Sequence, residues 1–369
     1  MSGPVYLHVG LPKTGTTYLQ SLLATHRPDL RRVGFLYPFV RPEGMFHAAV
    51  ELRRQYDVWG LDPALVDGTW ARLCAKARAF DGTSVVSHEI LGGASAEELS
   101  RAMAPLHDLE VHVVLTVRDP ARQVPAHWQE QVKNGRTYSF AQLVEEVRGP
   151  HTRDVGDFWA EQDLLDTLDR WGAVVPPERL HVVVCPPPGA DPALLWDRFA
   201  AAVGLNPDVV DPAAATGTNT SLGTPQVALL RAVNVALAGR LVQPRYAHRV
   251  KRYFAQKVLA EASLGQPRPA CPPSMDAELM ALATSWVEAL EQRGHPVHGD
   301  LAELLPAPGR PGVPHPDDVP ADAAPAELAA VLARVLVDMD ELATGPEPDP
   351  SRPGLRGLVQ SLRTQVRWP

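Results

Sequence analysis

Gly10-Leu11-Pro12-Lys13-Thr14-Gly15-Thr16-Thr17 gathers two glycines, a lysine and three threonines into one short stretch near the start of the chain. Glycines let the backbone turn tightly and bring amide hydrogens close to an anion. A helix starting at the second glycine adds unpaired amide donors and the positive end of its dipole. Lys13 supplies a mobile charge, and Thr16 and Thr17 supply hydroxyls. Together these groups suit a phosphate or a phosphosulfate. In nucleoside triphosphatases the lysine follows the second glycine directly, and the next Ser or Thr holds magnesium. Here Lys13 precedes Gly15 by two residues and Thr16 takes the usual lysine position. That register argues against an ATPase or kinase and removes the main reason to expect a bound metal.

A second cation stands in Val117-Arg118-Asp119-Pro120. Val111 to Val117 is nearly all Val and Leu, which suits a parallel strand covered on both faces. Asp119 and Pro120 read as the cap and first turn of a helix. Arg118 thus stands at the carboxyl end of a buried strand, where open α/β sheets bind ligands, and a guanidinium can grip phosphate through two bonds. The other reading of Arg118 is an ion pair holding the helix start. Ser87-His88-Glu89 follows another strand and offers two possible bases, unless Glu89 merely caps the next turn with His88 packed against it. His47, after Tyr37-Pro38, and His127 with Trp128, beyond Arg118, are candidates for an acceptor pocket or else ordinary structural residues. Arg245, His248, Arg249, Lys251 and Arg252 interleave with apolar residues, the pattern of an amphipathic helix with a solvated basic face; the other reading is a patch that attracts an acidic acceptor or the nucleotide.

Several elements must position these groups. Val5 to Val9 is β-rich and runs straight into the glycine loop, and Leu19, Leu22 and Leu23 recur at helical spacing, which predicts a helix from about Gly15 to His26. Further strands are expected at Ser84 to Ser87 and Leu180 to Cys185. Helices are expected at Asp67 to Ala79, Ala96 to Met103, after Asp119, and at Leu194 to Val203. This alternation indicates an α/β fold, a parallel sheet flanked by helices with right-handed crossovers. Periodic runs at Pro225 to Leu237, Arg245 to Ala262 and Met275 to Arg293 add C-terminal helices that cover the core. Residues 1–303 are therefore expected to form the α/β domain with its helical cover. Residues 304–369 read as a Pro/Ala-rich linker and a helical or mobile tail, with a helix at Ala326 to Ala343.

A hydrophobic fraction of 45% and a charged fraction of 21% are those of an ordinary globular protein, so wholesale disorder is not expected. The net charge of -8 argues against a general nucleic-acid binder, which presents a broad basic face, but leaves room for one local anion site. Cys74, Cys185 and Cys271 form no disulfide framework and have no metal-ligand spacing, which fits a reducing, cytoplasmic setting. The first residues lack the charged flank and apolar core of a leader, and no apolar run reaches about 18 residues, so neither secretion nor membrane insertion is expected.

Pro12-Lys13-Thr14-Gly15-Thr16-Thr17 resembles the 5'-phosphosulfate loop of the sulfotransferase family, whose donor is 3'-phosphoadenosine 5'-phosphosulfate (PAPS). The resemblance implies a P-loop-like sheet and a donor held by those six residues, with Lys13 on its bridging and terminal oxygens. Arg118 matches the arginine of the family's 3'-phosphate motif. The serine expected eight residues later falls on Ala126, leaving Gln123, His127 or Arg122 to replace its hydroxyl. Asn219-Thr220-Ser221-Leu222-Gly223 is similar to a polar segment of bacterial members that faces the donor, which implies nucleotide-side roles for Asn219 and Ser221. Ser87-His88-Glu89 looks like the family's base-bearing segment, which puts Glu89 ahead of His88. The resemblance frames the chain from its start to about residue 235. It implies in-line transfer of a sulfuryl group from PAPS to a hydroxyl of a small molecule, sugar or lipid, without a metal. The alternatives are a nucleotide-dependent kinase or phosphotransferase, and a noncatalytic nucleotide-binding protein that kept the loop.

Overall fold

The computed structural model describes residues 3–151, 157–215, 221–309, 315–318 and 326–344 of the chain. Strands β1 (Val5–His8), β2 (Phe35–Leu36), β3 (Thr83–Ser87), β4 (Val111–Val117), β5 (Leu180–Val184) and β6 (Val297–His298) form one sheet in the order β2-β3-β1-β4-β5-β6. Every pairing is parallel. The two edge strands, of two residues each, were not expected, because so short a segment leaves no alternation to read.

The helices that matter for the site are α1 (Thr16–Thr25), α2 (Thr69–Arg78), α3 (Ala96–Met103), α4 (Pro120–Lys133), α5 (Leu164–Gly172), α6 (Leu194–Val203), α7 (Thr224–Leu237), α8 (Asp276–Arg293) and α9 (Ala326–Thr344). Val113, Leu115 and Val117 of β4 bury on one face of the sheet with Val182 and Val184 of β5. They pack there with Trp70 and Leu73 of α2, Leu99 of α3, Leu168 and Trp171 of α5, and Trp286 of α8. Val114 and Val183 bury on the other face, against Leu19, Leu22 and Leu23 of α1 and Trp196 and Phe199 of α6. Alternate residues thus enter different layers, and strands buried on both faces read as unbroken apolar runs.

A third cluster builds the helical cover. Val124, Trp128 and Val132 of α4 pack there with Val227, Leu230 and Val233 of α7 and with Ala329, Ala333 and Leu336 of α9. Helix α4 continues through Pro125, which cannot donate to the Ala121 carbonyl one turn earlier. The Cys271 thiol donates to that carbonyl instead, at 3.5 Å.

The basic run departs from expectation. Ala247–Leu259 is π-helical, a geometry that is rare and concentrated at functional sites. Arg245 and Arg252 keep the solvent exposure expected of a basic face, but four of the run's charges also form ion pairs. Arg245 and Arg249 reach Asp340 of α9 at 2.9 and 3.7 Å, Arg252 reaches Glu43 at 2.6 Å, and Lys251 reaches Glu130 of α4 at 2.7 Å. The partner carboxylates come from other segments, so no local pattern announces them. No described helix is long and apolar enough to cross a membrane.

Candidate functional site

In a parallel sheet the carboxyl ends of the strands share one edge, which is where such sheets bind ligands. His8 of β1 lies in register with Ser87 of β3 and Val114 of β4. The glycine loop, Ser87-His88-Glu89 and Arg118 therefore emerge side by side. Backbone bonds from Leu11 N to Thr116 O at 2.9 Å and from His88 N to His8 O at 3.0 Å extend the ladder into them. Gly92 lies so close beneath the loop that an added Cβ would stand 2.7 Å from the Gly10 carbonyl oxygen and 2.9 Å from that of Val9. The segment carrying Glu89 is thereby seated directly on the loop.

The loop turns on three left-handed residues, Gly10 at φ +42°, Lys13 at φ +70° and Gly15 at φ +84°. A lysine in that region is strained unless its surroundings hold it. Part of the hold comes from Thr14, whose hydroxyl donates to the Leu11 carbonyl at 2.5 Å and lies 2.6 Å from Thr116 Oγ1. The Thr14 side chain is thus a buried brace, and only its backbone remains for a ligand. Helix α1 begins behind Gly15 with no side-chain cap and no acidic residue in its first turn. Its leading amides have no intrahelical acceptor.

A cleft of about 1640 Å³ opens over this edge, lined by Pro12, Lys13, Gly15, Thr16, Thr17, His88, Glu89, Arg118, Ala126 and Ser221. His47, His127 and Trp128 do not line it. On the helix Gly44–Arg53 it is Phe46 that faces the cleft, while His47, one position on, turns inward and is 7% exposed. Trp128 is 1% exposed, donates from Nε1 to the Tyr138 carbonyl at 3.1 Å and meets Phe140 edge-on, as a core tryptophan does. His127 is buried against Phe158, with Nδ1 3.5 Å from Glu161 Oε2. Helix rotation thus points all three expected acceptor-pocket residues into the protein rather than into this cleft. Asn219 lies outside the described residues.

Arg118 makes no ion pair at the helix start, where Asp119 caps α4 through the Arg122 amide at 3.0 Å and pairs with the Arg122 guanidinium. Instead Arg118 donates from Nε to Gln123 Oε1 and from Nη2 to the Arg122 carbonyl, each at 2.9 Å. Among the described residues no carboxylate comes within ion-pair distance of it. Burial lowers its pKa to about 10, with the Arg122 charge acting in the same direction and Asp119 against it. Gln123 also donates to the Pro12 carbonyl at 2.6 Å, tying Arg118 to the glycine loop. With Gln123, Arg122 and His127 all engaged elsewhere, none of them presents a donor in the cleft beside Ala126. Ser221 does line the cleft, and Leu222 is fastened to α4 by paired bonds with Gln129 at 3.0 and 3.2 Å.

The two candidate bases divide their roles. His88, not Glu89, caps the following turn: its Nδ1 accepts from the Ile90 amide at 3.3 Å. A neutral ring used this way carries its proton on Nε2 and has no lone pair left to face a substrate. Burial lowers the His88 pKa, which keeps the ring neutral. Burial tends to raise Glu89, but nearby His88, a backbone amide and Gln20 outweigh it and hold the carboxyl below its ordinary range. Gln20 Nε2 donates to Glu89 Oε2 at 2.8 Å.

Four acidic residues that line the cleft, Glu43, Glu130, Glu161 and Asp166, were missed from sequence. Glu130 accepts from Lys13 Nζ through Oε2 at 2.8 Å and from Lys251 Nζ through Oε1 at 2.7 Å. Burial opposes its ionisation, yet Lys13, Lys251 and Lys133 hold it well below the carboxylate range. Glu161 also lines the cleft, and burial, then the Glu130 charge, push it up to about 7. One signal existed for Glu130: Ala126, Glu130 and Asn134 recur at four-residue spacing and so share one face of α4 and its C-cap. Among the described residues no group of three or more His, Cys, Asp or Glu side chains could hold a metal ion. No family model, no curated protein and no solved structure matches the chain.

Proposed function

We propose that the chain transfers a sulfuryl group from PAPS to a hydroxyl of a small-molecule, sugar or lipid acceptor. The observation that carries this reading is Arg118, a largely buried guanidinium whose hydrogen-bond partners are neutral, facing the same cleft as an uncapped helix N-terminus and Lys13. Two separated cationic points suit a ligand with two separated anionic groups, as a 3'-phosphate and a 5'-phosphosulfate are. The lysine two residues ahead of Gly15 favours a phosphosulfate over a triphosphate, and the glycine loop between β1 and α1 supports a P-loop-like reading of the sheet. Ser221 replaces the hydroxyl absent at Ala126.

PAPS supplies an activated sulfur that needs no covalent enzyme intermediate. Glu89 takes the proton from the acceptor oxygen as that oxygen bonds to sulfur. Lys13 and the first amides of α1 stabilise the negative charge gathering on the bridging oxygen as its bond to sulfur breaks. His88 keeps the Glu89 segment in place by capping its turn. Arg118 fixes the other end of the nucleotide, so that the sulfur is aimed rather than merely bound.

The test is calorimetry of the whole protein with 3'-phosphoadenosine 5'-phosphate and with magnesium ATP, repeated for Lys13→Ala and Arg118→Ala. Tighter binding of the bisphosphate, weakened by both substitutions, is expected. Preference for magnesium ATP with neutral substitutions would replace this reading by the kinase alternative.

A further inference from the structure

Lys13 and Lys251 straddle one carboxylate. Lys13 comes from the glycine loop and Lys251 from the π-helical segment Ala247–Leu259, and each holds a different oxygen of Glu130. All three side chains line the cleft. Lys251 is held in place by a second bond, to Asn134 Oδ1 at 2.7 Å, and by Val250 and Phe254 buried on either side of it in sequence. Burial, with Lys13 and Lys251 nearby, lowers the Lys133 amine to about 8, although Glu130 acts against that shift. Two ammonium groups thus share the Glu130 carboxylate, with Glu161, raised to about 7, as the further acidic group beside them. A pair of ammonium groups set to straddle a carboxylate is also set to straddle the terminal oxygens of another oxyanion.

We propose that Lys251 is a second ligand for the terminal sulfuryl group of the donor, opposite Lys13, and that Glu130 is the internal counter-ion holding both lysines until the donor arrives. The anion site stands on this geometry alone; its assignment to the sulfuryl group rests on the function proposed above. Glu130 gives up Lys13 to the incoming oxyanion, and the helical cover thereby contributes a group to a site otherwise built by the sheet edge. Lys251 belongs to the basic run that reads from sequence as a solvated face.

Adenosine 5'-phosphosulfate and AMP differ by the sulfuryl group, so titrating the whole protein with each isolates the Lys251 contact. Lys251→Gln is expected to weaken adenosine 5'-phosphosulfate binding about tenfold and AMP binding less than about twofold, with Lys251→Arg restoring most of the loss. Equal losses for both nucleotides, or none, would overturn the proposal. Glu130→Gln removes the competing counter-ion and is expected to tighten adenosine 5'-phosphosulfate binding several-fold; weaker binding would overturn the counter-ion role even if the Lys251 variants failed to fold. Pyrophosphate separates the two levels of inference. Wild-type protein that binds pyrophosphate, with loss in Lys251→Gln, but neither nucleotide would keep the two-lysine site and sink the sulfotransferase reading. Binding of neither pyrophosphate nor adenosine 5'-phosphosulfate would sink the site itself.

Discussion

Arg118 donates from Nε to Gln123 Oε1 at 2.9 Å, and Gln123 passes the connection on by donating from Nε2 to the Pro12 carbonyl at 2.6 Å. One fully buried amide therefore sets the position of the guanidinium relative to the glycine loop. The distance between the two points proposed to bind anions is a property of this bridge rather than of either point alone.

Removing the bridge should loosen both ends. Gln123→Leu is expected to weaken 3'-phosphoadenosine 5'-phosphate binding about tenfold, since it leaves a buried guanidinium and a carbonyl without their partner. Arg118→Lys should weaken that ligand by a similar factor and leave AMP unchanged, because an ammonium cannot reproduce the fork. Calorimetry with the two nucleotides reads both effects, and equal loss for AMP would refute the assignment of Arg118 to the 3'-phosphate.

Glu89 and His88 can be separated by pH. Glu89 is held below its ordinary range, so its base form persists from neutral pH downward and is lost only as pH falls through that lowered value. Turnover should stay level from neutrality to about pH 5, near the upper edge of carboxylate titration. Glu89→Gln should cost about a hundredfold or more in kcat with nucleotide affinity intact. His88→Asn keeps an acceptor for the Ile90 amide and should cost little. A loss of rate that sets in above the carboxylate range would favour His88 instead.

Gly92 tests the seating of the base segment on the loop. An alanine there must push against two backbone carbonyls, those of Gly10 and Val9, and neither can rotate away as a side chain would. Gly92→Ala should destabilise the fold by about 1–3 kcal/mol, measured by urea denaturation, and lower nucleotide affinity with it. Gly172→Ala, where an added Cβ meets nothing within 4 Å, is the control that should do neither.

A chain of imidazoles crosses the sheet far from the cleft's chemistry. His112 Nε2 lies 2.9 Å from Glu110 Oε1, His181 Nε2 lies 2.9 Å from His112 Nδ1, and His298 Nε2 lies 3.3 Å from His181 Nδ1. One neutral tautomer, with the proton on every Nε2, satisfies all three bonds. Burial lowers His181 to about 4 and lowers His298 as well. Fully buried His8, between Ser87 and Thr116, is likewise pushed down to about 4 by burial. These groups are depressed in the fold, so the stability they permit is complete above about pH 6.5 and declines as pH drops toward 4. His8 alone corresponds to roughly 3 kcal/mol over that window. Urea midpoints at pH 7 and pH 5 should differ, and His181→Leu should reduce the difference without abolishing it.

Much of this protein was legible as local pattern. The β-rich run before Gly10, the leucines of α1 and the Val-rich β4 fix a strand, a glycine loop, a helix and an arginine at a strand end, because propensity and periodicity act over a few residues. The capping box of Ser139 with Gln142 was equally local and went unread, so the helix Phe140–Arg148 came only from the structure. What tertiary structure alone decided is which side chains face the cleft and which charges meet. Phe46 rather than His47 looks into it, because one residue is about 100° of helix rotation and packing sets the phase. Trp128 belongs to the core for the same reason. Lys251 leaves its apparent surface helix to share Glu130 with Lys13, since ion pairs form between segments that only folding brings together.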